Sequence, residues 1–226
     1  MTRDIIIDTW FIVRTMVCID PELKKELAIP RFLQDIKTAQ DYWKVSIVPP
    51  VVYIKTLPTM SFTENDFVDA NELNSPQADK VNQLFQLLEG HSKNFYGDSK
   101  PIVHIYYMNI NFVGSNSNVI GRCYTCHNGN IHIVISNQQN INTFSHELGH
   151  GFFYSNLTLK GNDPISGEPH NKDKNNLMYY ASYNDKLMNL EQAQIDATKQ
   201  SYLINPNIYK KSYHLYIPNQ SVDTNL

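Results

Sequence analysis

His146 and His150 enclose the five-residue segment H-E-L-G-H, in which two histidines lie four positions apart. On an α-helix, positions i and i+4 project from the same face, so both imidazoles can bind one zinc ion at about 2.0–2.1 Å. Glu147 would lie beside that metal, where its carboxylate can take a proton from a bound water. The segment therefore predicts a helix that bears part of a hydrolytic zinc site, with Glu147 as the general base.

A catalytic zinc ion needs a third protein ligand and an open position for water. The candidates downstream of the motif are Asn156, Asp163, Glu168 and His170. A neutral amide oxygen is a weak zinc ligand beside imidazole or carboxylate, so Asn156 is better interpreted as the residue that ends the helix. Asp163 precedes a proline, as turn residues often do. Residue types alone leave the other three candidates open.

The surroundings of the motif resemble the metzincin clan of zinc endopeptidases. The pattern of that family is H-E-x-x-H-x-x-G-x-x-H, followed by a turn that places a methionine below the metal. The segment Leu177-Met178-Tyr179 is similar to this Met-turn, and His170 precedes Met178 by eight residues, a spacing like that of matrixin-type members. The resemblance implies zinc as the cofactor and His146, His150 and His170 as its ligands.

Two positions depart from the family pattern: Phe153 stands at the family's glycine, and Asn156 stands at its third histidine. An inserted loop from Ser155 to Pro169 reconciles both departures with His170 as the third ligand, and the glycines and prolines of this stretch are typical of loops. Glu168 as the ligand would instead resemble a gluzincin site. In that family the glutamate lies on a helix, and the glycine and proline that flank Glu168 exclude a mid-helix position.

The same resemblance implies roles for Tyr180 and for an edge strand. Tyr180 stands where astacin-like and serralysin-like members have a tyrosine near the zinc, and its phenol would stabilise an oxyanion. Packing in the core is the alternative explanation for this tyrosine. A peptide or protein substrate would lie extended along the strand from Val119 to Tyr124 and pair with it as an added strand.

The expected function is therefore zinc-dependent endopeptidase activity, that is, a metalloprotease that hydrolyses peptide bonds. Two other classes stay open. One is a zinc-bearing peptide-binding domain without catalysis, and the other is a zinc hydrolase of another class with a carboxylate as its third ligand.

Hydrophobic patterns place these residues in a series of strands and helices. In the first half we expect a strand from Ile5 to Ile19, a helix from Pro30 with Phe32, Ile36, Ala39 and Trp43 on one face, a strand from Val45 to Ile54 interrupted at Pro49-Pro50, and a helix from Ser75-Pro76 to Gly90. In the second half we expect a strand from Ile102 to Met108, a hairpin of Val119 to Tyr124 and Ile131 to Ile135 around Asn128-Gly129, a helix from about Thr143, and a last helix from Asn189 through Tyr202.

This order and the resemblance, which extends over roughly residues 4 to 205, imply an α+β fold. The expected architecture is a twisted mixed β-sheet with an antiparallel edge strand, packed with the active-site helix, and a smaller C-terminal subdomain with the Met-turn and the final helix. Residues 1–226 would form a single catalytic domain. Its N-terminal subdomain would cover about residues 1–154 and its C-terminal subdomain about residues 155–226.

Composition restricts the partners and the compartment. The chain has 226 residues, with 19 basic and 22 acidic side chains and a net charge of −3, and it has no apolar run near the length of a membrane span. We therefore expect one monomeric domain that binds neither nucleic acid nor membrane. The first ten residues lack the pattern of a signal peptide, as in a cytoplasmic protein. The family resemblance instead favours a secreted or extracellular protein.

Cys123, Cys126 and His127 form the C-x-x-C-H motif that attaches c-type haem. Here the motif lies in a predicted strand, whereas haem attachment normally lies on a short helix. The alternatives are a second metal site made of these three residues, a local disulfide, or free thiols. A disulfide needs a bend, because residues i and i+3 of a regular strand face opposite sides. Cys18 and the strand histidines His104 and His132 are expected to be structural.

Overall fold

The protein has an α+β fold in which helices pack on both faces of a mixed β-sheet. The computed structural model describes residues 12–20, 22–23, 25–47, 51–53, 61–69, 73–96, 101–116, 118–126, 128–138, 140–181 and 186–204. Strands β1 to β7 are Ile12–Val13, Thr15–Ile19, Ser46–Ile47, Val51–Tyr53, Val103–Tyr107, Gly121–Thr125 and Ile131–Ile135. Helices α1 to α4 are Lys25–Trp43, Asp79–Tyr96, Thr143–Ser155 and Gln192–Thr198. Short 3-10 helices cover Glu64–Asp66 and Pro76–Ala78.

The main sheet has five strands in the order β4-β2-β5-β7-β6. Strand β2 pairs in parallel with β4 and β5, and β5 pairs in parallel with β7. Strand β6 is antiparallel to β7 and forms one edge of the sheet in the described part of the chain. The expected mixed sheet with an antiparallel edge strand is therefore confirmed. Strands β1 and β3 form a separate parallel pair.

Side chains of the central strands alternate between two hydrophobic cores, one on each face of the sheet. In β5, Ile105 and Tyr107 lie in the core shared with α1 and α3, whereas Tyr106 lies in the core shared with α2. The helix face expected from the sequence is buried in the first of these cores, with Phe32, Ile36, Ala39 and Trp43. Because the sheet is covered on both faces, its central strands are apolar on both sides.

Helix α1 begins at Lys25, so the expected start at Pro30 was wrong. Pro30 lies inside the helix with its ring exposed, and it removes a single backbone hydrogen bond near the N-terminal end. Ala28 is buried in the first core and Ile29 packs against it. Burial of these two side chains offsets the lost hydrogen bond, which is why the helix extends across the proline.

Helix α2 follows the 3-10 turn at Pro76 as expected, but it passes through Gly90 and ends at Tyr96. The prediction that Gly90 ends this helix was therefore wrong. Ser92 lies one helical turn after Leu88 and is also buried, so the helix face that packs on the sheet continues beyond Gly90. A glycine costs a helix interior only about 1 kcal/mol relative to alanine, and burial of the following turn outweighs that cost.

Helix α4 is shorter than expected and starts at Gln192 rather than at Asn189. The residue that caps it is Glu191, whose backbone N–H donates to the side-chain oxygen of Gln194 at 2.9 Å. Glu191 and Gln194 therefore form the capping box of α4. Gln194 is buried, so the position of its side chain in the core sets where this helix starts.

Strands β6 and β7 form the expected antiparallel hairpin. Gly129 has a positive φ of 81°, the conformation that an Asn-Gly turn requires of its glycine. The loop is longer than a two-residue turn, because the hydrogen bond that closes it joins the N–H of Cys126 to the carbonyl of Asn130 at 3.0 Å. His127 of this loop lies outside the described residues.

Some predictions concern parts of the chain that the structure does not describe. These are the first part of the N-terminal strand (Ile5 to Phe11), the Pro49-Pro50 step and the segment after Ile204. None of the helices in the described ranges is long and apolar enough to cross a membrane. The division into two subdomains near residue 155 stays a prediction.

Candidate metal centre

Helix α3 presents the two histidines of the motif on one face, and the following loop brings a third histidine beside them. Nε2 of His150 lies 3.1 Å from Nε2 of His146 and 3.2 Å from Nε2 of His170. One nitrogen from each ring lies within 4.8 Å of the other two. The three metal ligands proposed from the sequence therefore converge on one point.

A hydrogen bond fixes which ring nitrogen of His146 faces this point. Its Nδ1 lies 2.7 Å from the carbonyl oxygen of Leu177. Because a carbonyl oxygen only accepts, Nδ1 must bear the hydrogen, which leaves the lone pair on Nε2. Burial lowers the pKa of His146 to about 4, and burial also lowers the pKa values of His150 and His170. All three rings are thus neutral near pH 7, the form in which imidazole binds metals.

Three neutral imidazoles in this arrangement fit a zinc ion. Tetrahedral zinc with Zn–N bonds of about 2.0–2.1 Å places its ligand nitrogens about 3.3 Å apart. The separations around His150, 3.1 and 3.2 Å, are close to that value. Hydrogen bonding alone does not explain them, because the single Nε2 of His150 faces two other Nε2 atoms and can share a proton with only one at a time.

The segment that resembles a Met-turn lies directly beneath α3. It is a tight turn in which the N–H of Tyr179 donates to the carbonyl of Asn176 at 3.0 Å. Met178 is fully buried, and its sulfur packs against Gly149, between the two histidines of the helix. The indole of Trp43 from α1 contacts the same glycine. Met178 is therefore part of the floor below the imidazoles.

The backbone of this turn orients two of the three histidines. The carbonyl of Leu177 accepts the hydrogen bond from His146 described above. The carbonyl of Met178 accepts from the N–H of Asn171 at 2.8 Å, and Asn171 directly follows His170. One turn thus positions ligands that are distant in the sequence.

A buried carboxylate, Asp163, organises the loop that leads to the third histidine. It is fully buried and accepts hydrogen bonds from the N–H groups of Ile165 (2.7 Å) and Ser166 (3.0 Å). It also accepts from the side-chain amides of Asn171 (3.4 Å) and Gln194. Four donors therefore converge on Asp163, and a carboxylate compensates buried donors better than a neutral acceptor does.

Gln194 extends this network from the loop to the turn. Its side-chain amide exchanges hydrogen bonds with that of Asn176 at 2.9 and 3.0 Å. The side-chain oxygen of Asn176 also accepts from the N–H of Met178 at 2.9 Å. The loop that contains Asp163, helix α4 and the turn at Met178 are thus connected by one buried polar network.

Glu147 lies between α3 and the edge strand β6. Its side chain is only 8% exposed, and burial raises its pKa to about 8, while the Arg122 guanidinium and the N–H of Cys123 act in the opposite direction. Gly121 makes this approach feasible, because a Cβ there would lie 2.5 Å from Cγ2 of Thr143 and 3.2 Å from Oε1 of Glu147. The absence of a side chain at Gly121 therefore lets strand β6 lie directly against Thr143 and Glu147 of α3.

A cavity of about 620 Å³ opens in front of the three histidines. Its walls include Glu147, the segment 121–123 of β6, Tyr154 and Tyr180. Tyr180 is 70% exposed, and its ring contacts that of Tyr179 in a tilted arrangement with 4.4 Å between centroids. This exposure excludes the alternative that Tyr180 packs in the core.

The other candidate ligands lie elsewhere. Asn156 ends α3 and donates from its side chain to the carbonyl of Ala197 at 3.0 Å, so its expected structural role is confirmed. Glu168 is exposed, and both oxygens of Asp163 accept hydrogen bonds within the loop. In the described part of the chain, the potential metal ligands grouped at α3 are the three histidines.

The two cysteines of the C-x-x-C-H motif lie on opposite faces of the sheet. Cys123 belongs to the core beneath α3, whereas Cys126 packs against the core beneath α2. Both thiols are free, as is that of Cys18, which is buried as expected. This arrangement excludes a bridge between Cys123 and Cys126 and a metal site that uses both of them. His127 lies outside the described residues.

Sequence reasoning did not identify the roles of Gly121, Gly149 and Gln194. Gly149 had a signal, because a glycine inside a helix often marks a close contact. Gly121 and Gln194 had none, since their partners lie far away in the chain. Asp163 was weighed as a ligand or a turn residue, but its four hydrogen bonds could not be read from the sequence.

Comparison with known proteins does not assign the chain to a family. The sequence matches no protein-family model, and no curated protein matches it. The arrangement of residues at the site therefore has to support any functional conclusion.

Proposed function

We propose that this protein is a zinc-dependent endopeptidase of the metzincin type, with His146, His150 and His170 as zinc ligands. The observation that carries the proposal is the convergence of three imidazole nitrogens in a cavity that Glu147 of the same helix also lines. The buried Met178 beneath the rings adds support, because its turn orients two of the ligands through backbone carbonyls.

In the proposed reaction, Glu147 is the general base. When bound, zinc would supply a water of lowered pKa and a Lewis acid for the substrate carbonyl. Beside a bound zinc ion Glu147 would be ionised despite its burial, because a nearby positive charge favours the carboxylate. This carboxylate takes a proton from the attacking water and delivers it to the departing amine. The N–H of Cys123 donates to this carboxylate and holds it at the cavity wall.

The substrate would be a peptide in extended form along β6. This strand forms an edge of the described sheet, and residues 118–123 line the cavity. An extended peptide can add to such an edge through main-chain hydrogen bonds. Tyr180, on the same cavity, is the proposed hydrogen-bond donor to the oxyanion.

Substitution of the general base tests the chemistry. We expect Glu147→Gln to lower cleavage of a fluorescence-quenched peptide library by about 10²–10⁴-fold while zinc content stays unchanged. Glu168→Gln, an exposed glutamate in the same half of the chain, is the matched control and should cleave normally. Full cleavage by the Glu147 variant would contradict the mechanism. Zinc-loaded wild type that binds peptides but cleaves none would instead support a non-catalytic binding domain.

The third ligand is tested by zinc affinity. In competition with a chromophoric chelator, His170→Ala should bind zinc far more weakly than the wild type, whereas Glu168→Ala should bind it equally well. Unchanged affinity of the His170 variant would favour a carboxylate ligand and a zinc hydrolase of another class.

A further inference from the structure

A second group of potential metal ligands lies on the opposite face of the sheet, away from the three histidines. Glu89 belongs to α2, Cys126 directly follows β6, and His132 belongs to β7. Their ligand atoms, a carboxylate oxygen, a thiol sulfur and a ring nitrogen, all lie within 4.8 Å of one another. Within this group, Nε2 of His132 lies 3.0 Å from Oε1 of Glu89.

We propose that Glu89, Cys126 and His132 bind a second divalent transition-metal ion, with zinc as the metal best suited to this donor set. Thiolate, imidazole and carboxylate are the three ligand types that zinc combines in proteins. With the usual bond lengths, tetrahedral zinc holds such atoms about 3.3–3.6 Å apart. The observed cluster needs only small side-chain rotations to reach that spacing, because no pair of ligand atoms exceeds 4.8 Å.

The ring of His132 is held in an orientation that suits a ligand. Its Nδ1 lies 2.8 Å from the hydroxyl of Tyr106, so Nε2 is the nitrogen that faces Glu89 and Cys126. The ring is stacked between Phe85, at 4.1 Å between centroids, and His104, at 4.7 Å. A hydrogen bond to the non-ligating nitrogen is the usual support of a metal-binding histidine.

The cluster is accessible from solvent. A cavity of about 240 Å³ is lined by Glu89, Cys126 and the loop residue Asn128. Cys126 is a partly exposed residue, in contrast to the buried Cys123. The ion can therefore enter from this side, and a water molecule can occupy the fourth position. Binding would release the thiol proton of Cys126 to solvent.

Such a site would connect α2 to the hairpin of β6 and β7. Its ligands come from three different elements, so bound metal would stabilise their packing against the second core. The two cysteines of the C-x-x-C-H motif would then serve different sites: Cys123 lines the cavity of the histidine site, and Cys126 binds the second metal. This inference does not depend on the proposed peptidase activity.

Titration of the metal-free, reduced protein with Co²⁺ tests the proposal. Cobalt bound to thiolate gives a charge-transfer absorption in the near ultraviolet, and a site of histidines alone does not. We expect about two equivalents of Co²⁺ to bind, one of which produces this absorption. Cys126→Ser should lose the absorption and one equivalent. Cys123→Ser and Cys18→Ser are matched controls and should keep both.

The result is decisive whether or not the histidine site binds metal. Absence of the charge-transfer absorption at saturating Co²⁺ would overturn the proposal and leave Glu89 and His132 as a hydrogen-bonded pair. A charge-transfer absorption that persists in a folded Cys126→Ser variant would also overturn the proposal. Glu89→Gln, which keeps the side-chain shape, should weaken the absorption-linked binding by at least about tenfold, and unchanged binding would remove Glu89 from the site.

Zinc protection of thiols provides a second measurement. Zn²⁺ should slow alkylation of Cys126 by iodoacetamide in the wild type, because a coordinated thiolate is shielded. Peptide mapping would show the protection at Cys126 itself. Equal alkylation of Cys126 with and without saturating Zn²⁺ would contradict the proposal.

Discussion

At the scale of single residues, Gly149 decides how closely helix α3 approaches Trp43 and Met178. A Cβ at this position would lie 2.5 Å from Cζ2 of Trp43 and would also collide with the sulfur of Met178. Both neighbours are fully buried, so neither can move away freely. The glycine of the H-E-L-G-H segment thus has a packing role that its side chain, a single hydrogen, makes possible.

We predict that Gly149→Ala destabilises the protein by about 1–3 kcal/mol, because the added methyl group overpacks the core. Gly90→Ala in the middle of α2 is the matched control. A Cβ there meets nothing within 4 Å, so alanine should stabilise the helix by about 0.5–1 kcal/mol. Urea unfolding of both variants measures the two effects. Changes of the same sign would contradict the packing argument.

Tyr180 is the residue whose proposed catalytic role depends most on a single hydroxyl. We predict that Tyr180→Phe lowers kcat by about tenfold or more, as loss of an oxyanion donor does, and that zinc content stays unchanged. The ring is 70% exposed, so removal of its hydroxyl should leave the free energy of unfolding nearly as it was. Peptide-cleavage kinetics and zinc analysis of the same preparation measure both. A kcat equal to that of the wild type would remove Tyr180 from the mechanism.

At the scale of elements, the loop between α3 and the third histidine is held by a buried hydrogen-bond network as well as by Leu159, which packs against the first core. Asp163 accepts from four donors, and Gln194 of α4 connects it to Asn176 in the turn at Met178. The position of His170 therefore depends on a polar network that spans three parts of the chain.

We predict that Asp163→Ala destabilises the protein by about 3–5 kcal/mol, because several buried donors lose their acceptor. Zinc affinity should fall with it, since Asn171, next to His170, is one of those donors. Glu168→Ala removes an exposed carboxylate from the same loop and should change stability by less than about 0.5 kcal/mol. Thermal unfolding with and without Zn²⁺ compares the two. Similar effects of both substitutions would argue against the network.

At the scale of the whole molecule, two cores on either side of one sheet provide the apolar burial, and a few buried polar groups connect the layers. Asp35 of α1 is one of them, at 3% exposed. It accepts a hydrogen bond from the hydroxyl of Tyr107 in β5 at 2.8 Å, and Arg31 lies 3.7 Å away. Burial raises the pKa of Asp35 to about 6, although Tyr107 and Arg31 act in the opposite direction.

This raised pKa makes stability depend on pH. The folded state keeps the proton of Asp35 up to about pH 6, whereas the unfolded chain releases it near 3.8. The stabilisation that protonated Asp35 gives to the folded state is thus fully present below pH 3.8 and is lost as the pH rises through about 6. We predict that Asp35→Asn removes this loss, which is on the order of 3 kcal/mol between pH 4 and pH 8. Urea unfolding across this pH range measures it, with Asp41→Asn on the same helix as the control for lost charge. Parallel pH profiles of Asp35→Asn and wild type would contradict the prediction.

Several elements were predictable because their cause is local. The face of α1, the start of α3 and the hairpin of β6 and β7 follow from hydrophobic spacing and from the turn residues Asn128 and Gly129. The ends of helices were predicted less well. Burial of Ala28 before Pro30 and of Ser92 after Gly90 keeps α1 and α2 helical beyond residues that usually end a helix.

The sequence by itself determined the chemistry that the candidate site can perform. The spacing of His146, Glu147 and His150 on a helix follows from helical geometry and needs no tertiary contact. Only the tertiary structure decided which downstream side chain joins them. His170 reaches His150 through a loop whose course depends on the partners of Asp163 and Asn171, all of them set by folding.

The same division applies to the cysteines. Residue types marked Cys123 and Cys126 as metal or redox candidates, and the alternation of a strand already argued against a direct bridge. Their partners, Glu89 and His132 for Cys126 and the cavity of the histidine site for Cys123, come from elements distant in sequence. Local spacing determines which atoms can react, and long-range packing of the sheet and helices determines which of them meet.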